Sequence, residues 1–205
     1  MDIGNCQDHL RKAILAISPV HEKAWHTIQK FIIPENIPAN KYFCKAGDYS
    51  MYFSYICHGL FRSYYRDINN KEHCTGFYCN QMFMLPLPAF LYRKPAFQFF
   101  QAIQDSTIVK IKYAEIENLA RKQSSVNDFL RTLIDREWII KKELMLASKH
   151  IYNQQTRFQL FQEQYQAYVS HIPVEYISSY LNIPEKNLLK MIQQQKNRFI
   201  IPEDE

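Results

Sequence analysis

The chain opens with two stretches in which apolar residues recur every three or four positions: Leu10, Ile14 and Leu15, then Trp25, Ile28 and Phe31. That period marks one face of a helix, and Ser18 and Pro19 interrupt it, so two short N-terminal helices are expected. From about residue 32 the texture changes. Short runs rich in Tyr, Phe, Ile and Val alternate with the turn-forming tracts "IPAN", "KAGD", "CHG", "DINNKE", "RKP" and "QDS". Strands are predicted at 42–44, 52–57, 60–65, 73–78, 97–103 and 106–111. Many short strands with no long helix between them indicate an antiparallel barrel or jelly roll. The clearest hairpin is "LFRSYYRDINNKEHCTGFY", where Asn69 and Asn70 tolerate the left-handed conformations of a tight turn.

A short helical stretch, "KYAEIENLARKQ", leads into the longest periodic segment, "VNDFLRTLIDREWIIKKELMLASKHIYNQQ". Val126, Leu130, Leu133, Ile140, Leu144, Ala147 and Ile151 follow a 4,3 spacing interrupted at Glu137, and Phe129, Trp138 and Met145 mark a second apolar face. A helix with two apolar faces needs two partners. One face is expected to pack on the strands. The other, with Val126, Leu130, Leu133, Ile140 and Leu144, is expected to meet a second copy of the chain; burial within one chain is the alternative.

"TRFQLFQEQYQAYVSHIP" adds another helix, and "HIPVEYISSYLNIPEKNLLKMIQQQ" then reads as two short helices around a tight turn. Ile177, Tyr180 and Leu181 of the first would pack on Leu188 and on Met191 or Ile192 of the second. Asn182 suits the left-handed turn between them, while Pro184 and Glu185 suit a helix start. The acidic "PEDE" end reads as a frayed tail. The expected class is α+β. N-terminal helices and an antiparallel double-stranded β-roll occupy residues 1–122, a long dimerisation helix 123–152 and a helix-turn-helix module 153–205.

Composition narrows the function. A chain of 205 residues, 47% apolar and 15% aromatic, buries a sizeable core, which excludes disorder. No run approaches the ~18 consecutive apolar residues of a membrane span, and the N-terminus lacks the apolar stretch of a secretory signal, so a cytoplasmic location and no membrane partner are expected. Five scattered cysteines, Cys6, Cys44, Cys57, Cys74 and Cys79, fit reduced thiols better than a disulfide framework. Cys74 and Cys79, beside His73, are spaced too loosely for a zinc or iron-sulfur signature and are expected to be strand cysteines. No metal and no cofactor are therefore expected. The seven histidines are dispersed, and no nucleophile elbow, Gly-rich phosphate loop or His-Glu metal motif occurs, so no catalytic residue is assigned and the chain is not expected to be an enzyme. The net charge of +5 invites nucleic acid, yet residues 151–205 hold five basic and six acidic side chains, a net −1.

In this order, the elements resemble the Crp/Fnr family of bacterial transcription regulators, especially its shorter members. The likeness is carried by "FCKAGDYSMYFSYICHGLFRSYYRDINNKEH", similar to the first half of the family's cyclic-nucleotide-binding roll with Gly47 and Gly59 at turns. It is carried equally by "IPVEYISSYLNIPEKNLLKMI", similar to the family's helix-turn-helix. The resemblance implies a homodimer that binds a palindromic DNA site and meets RNA polymerase as a further partner, with an effector in or near the roll biasing two states.

Two departures modify those expectations. Family members that bind cyclic nucleotides hold the phosphate with a Gly-Glu segment and an Arg. Here no Glu and no Gly lie between Asn80 and Ile103, and the Arg position falls near Ala96. Cyclic nucleotide is therefore not expected. A small apolar effector is the weighed alternative, lined by Phe77, Met82, Phe83, Met84, Arg93, Phe97 and Phe99, which otherwise are core and loop residues. In the second helix of the pair, Leu189 and Lys190 stand where the family carries Ser and Arg, and Ile192 stands at a later Arg. Base reading is then left to Lys186, Asn187, Lys190, Gln193 and Gln194, with Lys196 and Arg198 beyond. The competing function is a ligand sensor or protein-interaction module whose helix-turn-helix no longer binds DNA.

Overall fold

The computed structural model describes residues 3–199. Helices α1 (Ile3–Ile17) and α2 (Glu22–Gln29) lead into strands β1 (Ile33–Ile37), β2 (Tyr42–Cys44), β3 (Tyr52–His58), β4 (Leu60–Arg66), β5 (Glu72–Cys79) and β6 (Phe83–Met84). A short helix α3 (Leu87–Tyr92) precedes β7 (Phe99–Ala102) and β8 (Ser106–Lys112). The strands form two four-stranded antiparallel sheets, in the orders β1-β8-β3-β6 and β2-β7-β4-β5. All six strands expected from the sequence are present. The turn patterning concealed two others: β1 holds Pro34, which its edge position beside β8 tolerates, and β6 is two residues long. Helix α3 lies in a tract whose sequence reads only as apolar.

Strand side chains alternate between faces, so two stacked sheets produce three apolar layers. Phe61, Met84, Phe100, Ala102 and Ile108 fill the space between the sheets. On the outer side of the first sheet, Phe53, Tyr55 and Val109 pack against Leu10, Trp25, Val126 and Phe129 of the helices. On the outer side of the second, Leu60, Cys74, Phe77 and Cys79 pack against the C-terminal helices.

This alternation dissolves the expected effector pocket. Phe83 and Met84, adjacent in sequence, point into different layers, and Phe77 and Met82 belong to the third. Phe99 stacks on Tyr64 at 4.9 Å, while Arg93 and Phe97 are exposed, Arg93 beside Glu117 at 3.3 Å. The structure does not bring the seven residues together.

The expectation of five reduced thiols is also corrected. Cys6 of α1 and Cys57 of β3 are disulfide-bonded, with Cα atoms 5.4 Å apart. Their 51-residue separation hid the pair; packing α1 on the face of β3 that carries Phe53 and Tyr55 brings them together. Cys44, Cys74 and Cys79 are buried outside that disulfide, and burial pushes the thiol of Cys44 up to about 11 and that of Cys74 up to about 12.

After α4 (Tyr113–Lys122), the long helix runs as α5 (Ser124–Ile134), a π-helical segment over Asp135–Ile140 and α6 (Lys141–Ile151). The wider π turn shifts the phase of the helix, so a stripe counted through it does not stay on one face. Val126 and Leu133, expected at a dimer contact, are buried in the helix-covered core, with Leu130 half-buried against it. Ile140, on the far side of the shift, is exposed. The side chain of Leu144 lies outside the described residues, as does the acidic tail at 202–205.

Candidate nucleic-acid interface

Helix α7 (Gln154–Gln164) is capped by Asn153, whose side chain accepts from the Thr156 N–H at 2.9 Å. A 3-10 turn at Val169–His171 leads to α8 (Val174–Leu181) and α9 (Glu185–Phe199). Between these two helices Asn182 adopts the left-handed conformation, φ 53°, which supplies the sharp turn that Gly would otherwise provide. Ser178 Oγ donates to the Ile183 carbonyl at 2.7 Å, closing the turn, and the Pro184 carbonyl accepts from the N–H groups of Asn187 and Leu188. Ile177, Leu181, Ile183 and Leu188 are buried together, with Tyr180, Met191 and Ile192 packed against them. The hydrophobic pattern of the sequence thus forms a helix-turn-helix.

Among the described side chains of α9, the exposed positions are Glu185, Lys186, Leu189, Lys190, Gln193 and Gln194, which recur at helical spacing and share one stripe. Four of the five residues expected at DNA, Lys186, Lys190, Gln193 and Gln194, lie on it. Asn187 does not: half-buried, it donates from Nδ2 to Gln154 Oε1 at 3.1 Å and holds α9 on α7. Gln195 and Gln162 exchange two hydrogen bonds, at 2.8 and 2.9 Å, with the same effect. Ile192 faces the core rather than the stripe. The side chains of Lys196 and Arg198 lie outside the described residues.

The module is seated directly on the roll, a junction the sequence does not reveal. Arg62 of β4 is buried, its guanidinium donating to Gln101 Oε1 at 2.7 and 3.0 Å and pairing with Glu72 at 2.7 Å. Its faces are covered by Tyr64 of the roll at 4.1 Å and by Tyr176 of α8 at 3.7 Å. Glu72 loses solvation by burial, but hydrogen bonds from Arg66 and Arg62 outweigh that and hold its carboxyl below the ordinary range. Ser179 of α8 accepts from the Cys74 N–H at 2.9 Å and donates to the Glu72 carbonyl at 3.4 Å. Deeper in, Phe77 meets Phe161, Tyr165 and Tyr180 edge-on at 5.7, 5.9 and 5.3 Å, and the Tyr165 hydroxyl donates to the Phe77 carbonyl. The available signal was Arg62 itself, a charge within an aromatic strand that requires partners from elsewhere in the fold.

Among the described residues no cluster of three or more His, Cys, Asp and Glu side chains could hold a metal ion, and no helix is long and apolar enough to cross a membrane.

No protein-family model matches the chain, and no curated protein sequence does. Solved structures do. FixK2 from Bradyrhizobium japonicum superposes with a TM-score of 0.73 at 13% identity, over 85% of this chain and 89% of that one. A putative cyclic nucleotide binding protein from Ruegeria pomeroyi gives 0.67 at 10% identity, over 96% and 89%. CLP from Xanthomonas campestris, described as a c-di-GMP responsive global regulator, gives 0.63 at 10% identity, over 90% and 96%. Spanning roll, long helix and C-terminal module alike, these similarities show that the chain has the fold of the Crp/Fnr regulators.

Proposed function

We propose that the protein is a dimeric, DNA-binding transcription regulator, and not an enzyme, whose roll senses something other than a cyclic nucleotide. The observation that carries this reading is the exposed stripe of α9, presented by a complete helix-turn-helix with no other element packed on it among the described residues. Lys186 and Lys190 suit phosphate, Gln193 and Gln194 suit base edges, and Leu189 suits a thymine methyl. The regulators of similar fold support it.

Against a cyclic nucleotide stands the space between the sheets, filled by Phe61, Met84 and Phe100, with Ala96 buried where a phosphate-holding Arg would be required. A dimer is supported by Ile139 and Leu146, large apolar residues exposed on the long helix.

Selection from a random duplex pool tests the reading. A dimeric regulator enriches a palindrome. Enrichment of nothing would favour a sensor or docking module, a reading that the net charge of −1 in residues 151–205 supports.

A further inference from the structure

Between the long helix and the C-terminal module runs a groove of about 480 Å³, within the range of small-molecule sites. Ile140 and Ile151 form one wall, Leu160 and Tyr180 the other. Three cations, Arg136, Lys149 and Arg157, face the same space, and no carboxylate lines it among the described side chains. None of the three forms an ion pair among the described residues.

Arg157 has a role in the fold: it donates to the Lys149 carbonyl in the last turn of α6 at 2.9 Å and to the Asn182 carbonyl at the helix-turn-helix turn at 3.5 Å. Carbonyls orient a guanidinium without neutralising it. Its buried Nε has no acceptor. Burial, and then the neighbouring charge of Arg157, holds the Lys149 ammonium below its ordinary range. Lys149 and Arg157, partly buried beside apolar walls and with no acid among the described side chains, form a site whose missing component is an anion.

We propose that this groove binds a small amphiphilic anion, a carboxylate on a medium-length apolar body, with its head between Lys149 and Arg157 and its tail along Ile140, Ile151 and Leu160. The head group would recruit the guanidinium that now bridges α6 to Asn182, so occupancy alters how α8 and α9 sit on the long helix. That consequence for DNA rests on the function proposed above; binding itself does not.

Decanoate and its uncharged methyl ester are the probes, titrated calorimetrically into the full chain. Decanoate is expected to bind and the ester about tenfold more weakly, the loss of one charge-assisted contact. Lys149→Gln should weaken decanoate about tenfold. Leu160→Asp, a change at a partly exposed position that places a carboxylate in the groove, should abolish binding while the thermal transition is retained. No decanoate binding, equal binding of the ester, full binding by folded Leu160→Asp, or binding that disappears at high protein concentration because a second copy fills the groove would each overturn the proposal. Decanoate binding by a chain that binds no duplex at all would uphold the site and overturn the DNA-reading function.

Discussion

The guanidinium of Arg62 lies 3.7 Å from the ring of Tyr176, so a strand of the roll and the first helix of the helix-turn-helix share one buried cation. The other face of the same guanidinium is covered by Tyr64, which stacks in turn on Phe99 of the neighbouring strand. Any rearrangement in the β4–β7 region that shifts Arg62 therefore reaches α8 through a single side chain. Cation–π contacts of this kind are worth up to about 2 kcal/mol when desolvated. That is enough to bias a docked against an undocked module by more than tenfold.

Replacing Tyr176 tests this contact. Tyr176→Ala removes one face of the sandwich and should lower the melting temperature by a few degrees, corresponding to about 1–2 kcal/mol. Hydrogen exchange in α8 should accelerate more than in α1. Tyr176→Phe keeps the ring and should behave as wild type; equal loss in both variants would assign the effect to the hydroxyl instead.

Acid should weaken the same junction. The carboxyl of Glu72 is held below its ordinary value of 4.5, so its contribution to stability is complete above that value and is lost as pH falls through the lower folded value. Wild type should exceed Glu72→Gln in stability at neutral pH, and the difference should shrink as pH drops below 4.5. Chemical denaturation of both proteins at neutral and acid pH measures it. The other shifted carboxylates, Asp67 and Glu117, cancel in the comparison. A pH-independent difference would show that Glu72 acts by packing alone.

Two glycines with positive φ should differ in their tolerance of a side chain. At Gly59, φ +128°, an added Cβ would lie 2.8 Å from Ser106 Cα and closer still to the Ser106 side chain; at Gly47, φ +94°, nothing lies within 4 Å. Gly47→Ala should cost about 1–2 kcal/mol in backbone strain, and Gly59→Ala more, because strain and collision add. Thermal melts of the two variants order them, and equal losses would contradict the collision.

Much of the fold was legible because its signals are local. Runs of aromatic and β-branched residues bounded by turn tracts at β3, β4 and β5, Asn at the αL position 182 and the spacing of Ile177, Leu181 and Leu188 each specify their own element. What was hidden depends on distant partners or on helical phase. Cys6 meets Cys57 only once α1 lies on β3. The seven supposed pocket residues separated because Phe83 and Met84 face opposite ways on their strand, Phe77 and Met82 belong to a third layer and Arg93 and Phe97 are exposed. The stripe beginning at Val126 was counted as one face across a π turn that shifts it. At the candidate DNA surface, period alone placed Lys186, Lys190, Gln193 and Gln194, whereas Asn187 was misplaced because its partner, Gln154, sits 33 residues away.

The central claim is that α9 meets DNA through its exposed stripe, and the salt dependence of duplex binding tests it most directly. Fluorescence anisotropy of a labelled random-sequence duplex, titrated with wild type and with Lys186→Ala/Lys190→Ala across a range of salt, gives the slope of log affinity against log salt. Wild type should bind with a steep negative slope, and the variant should bind more weakly with its magnitude reduced by about 1 for each lysine removed, twice that if the protein is dimeric. Equal slopes and affinities for the two proteins, or no binding by wild type at the lowest salt, would contradict the claim.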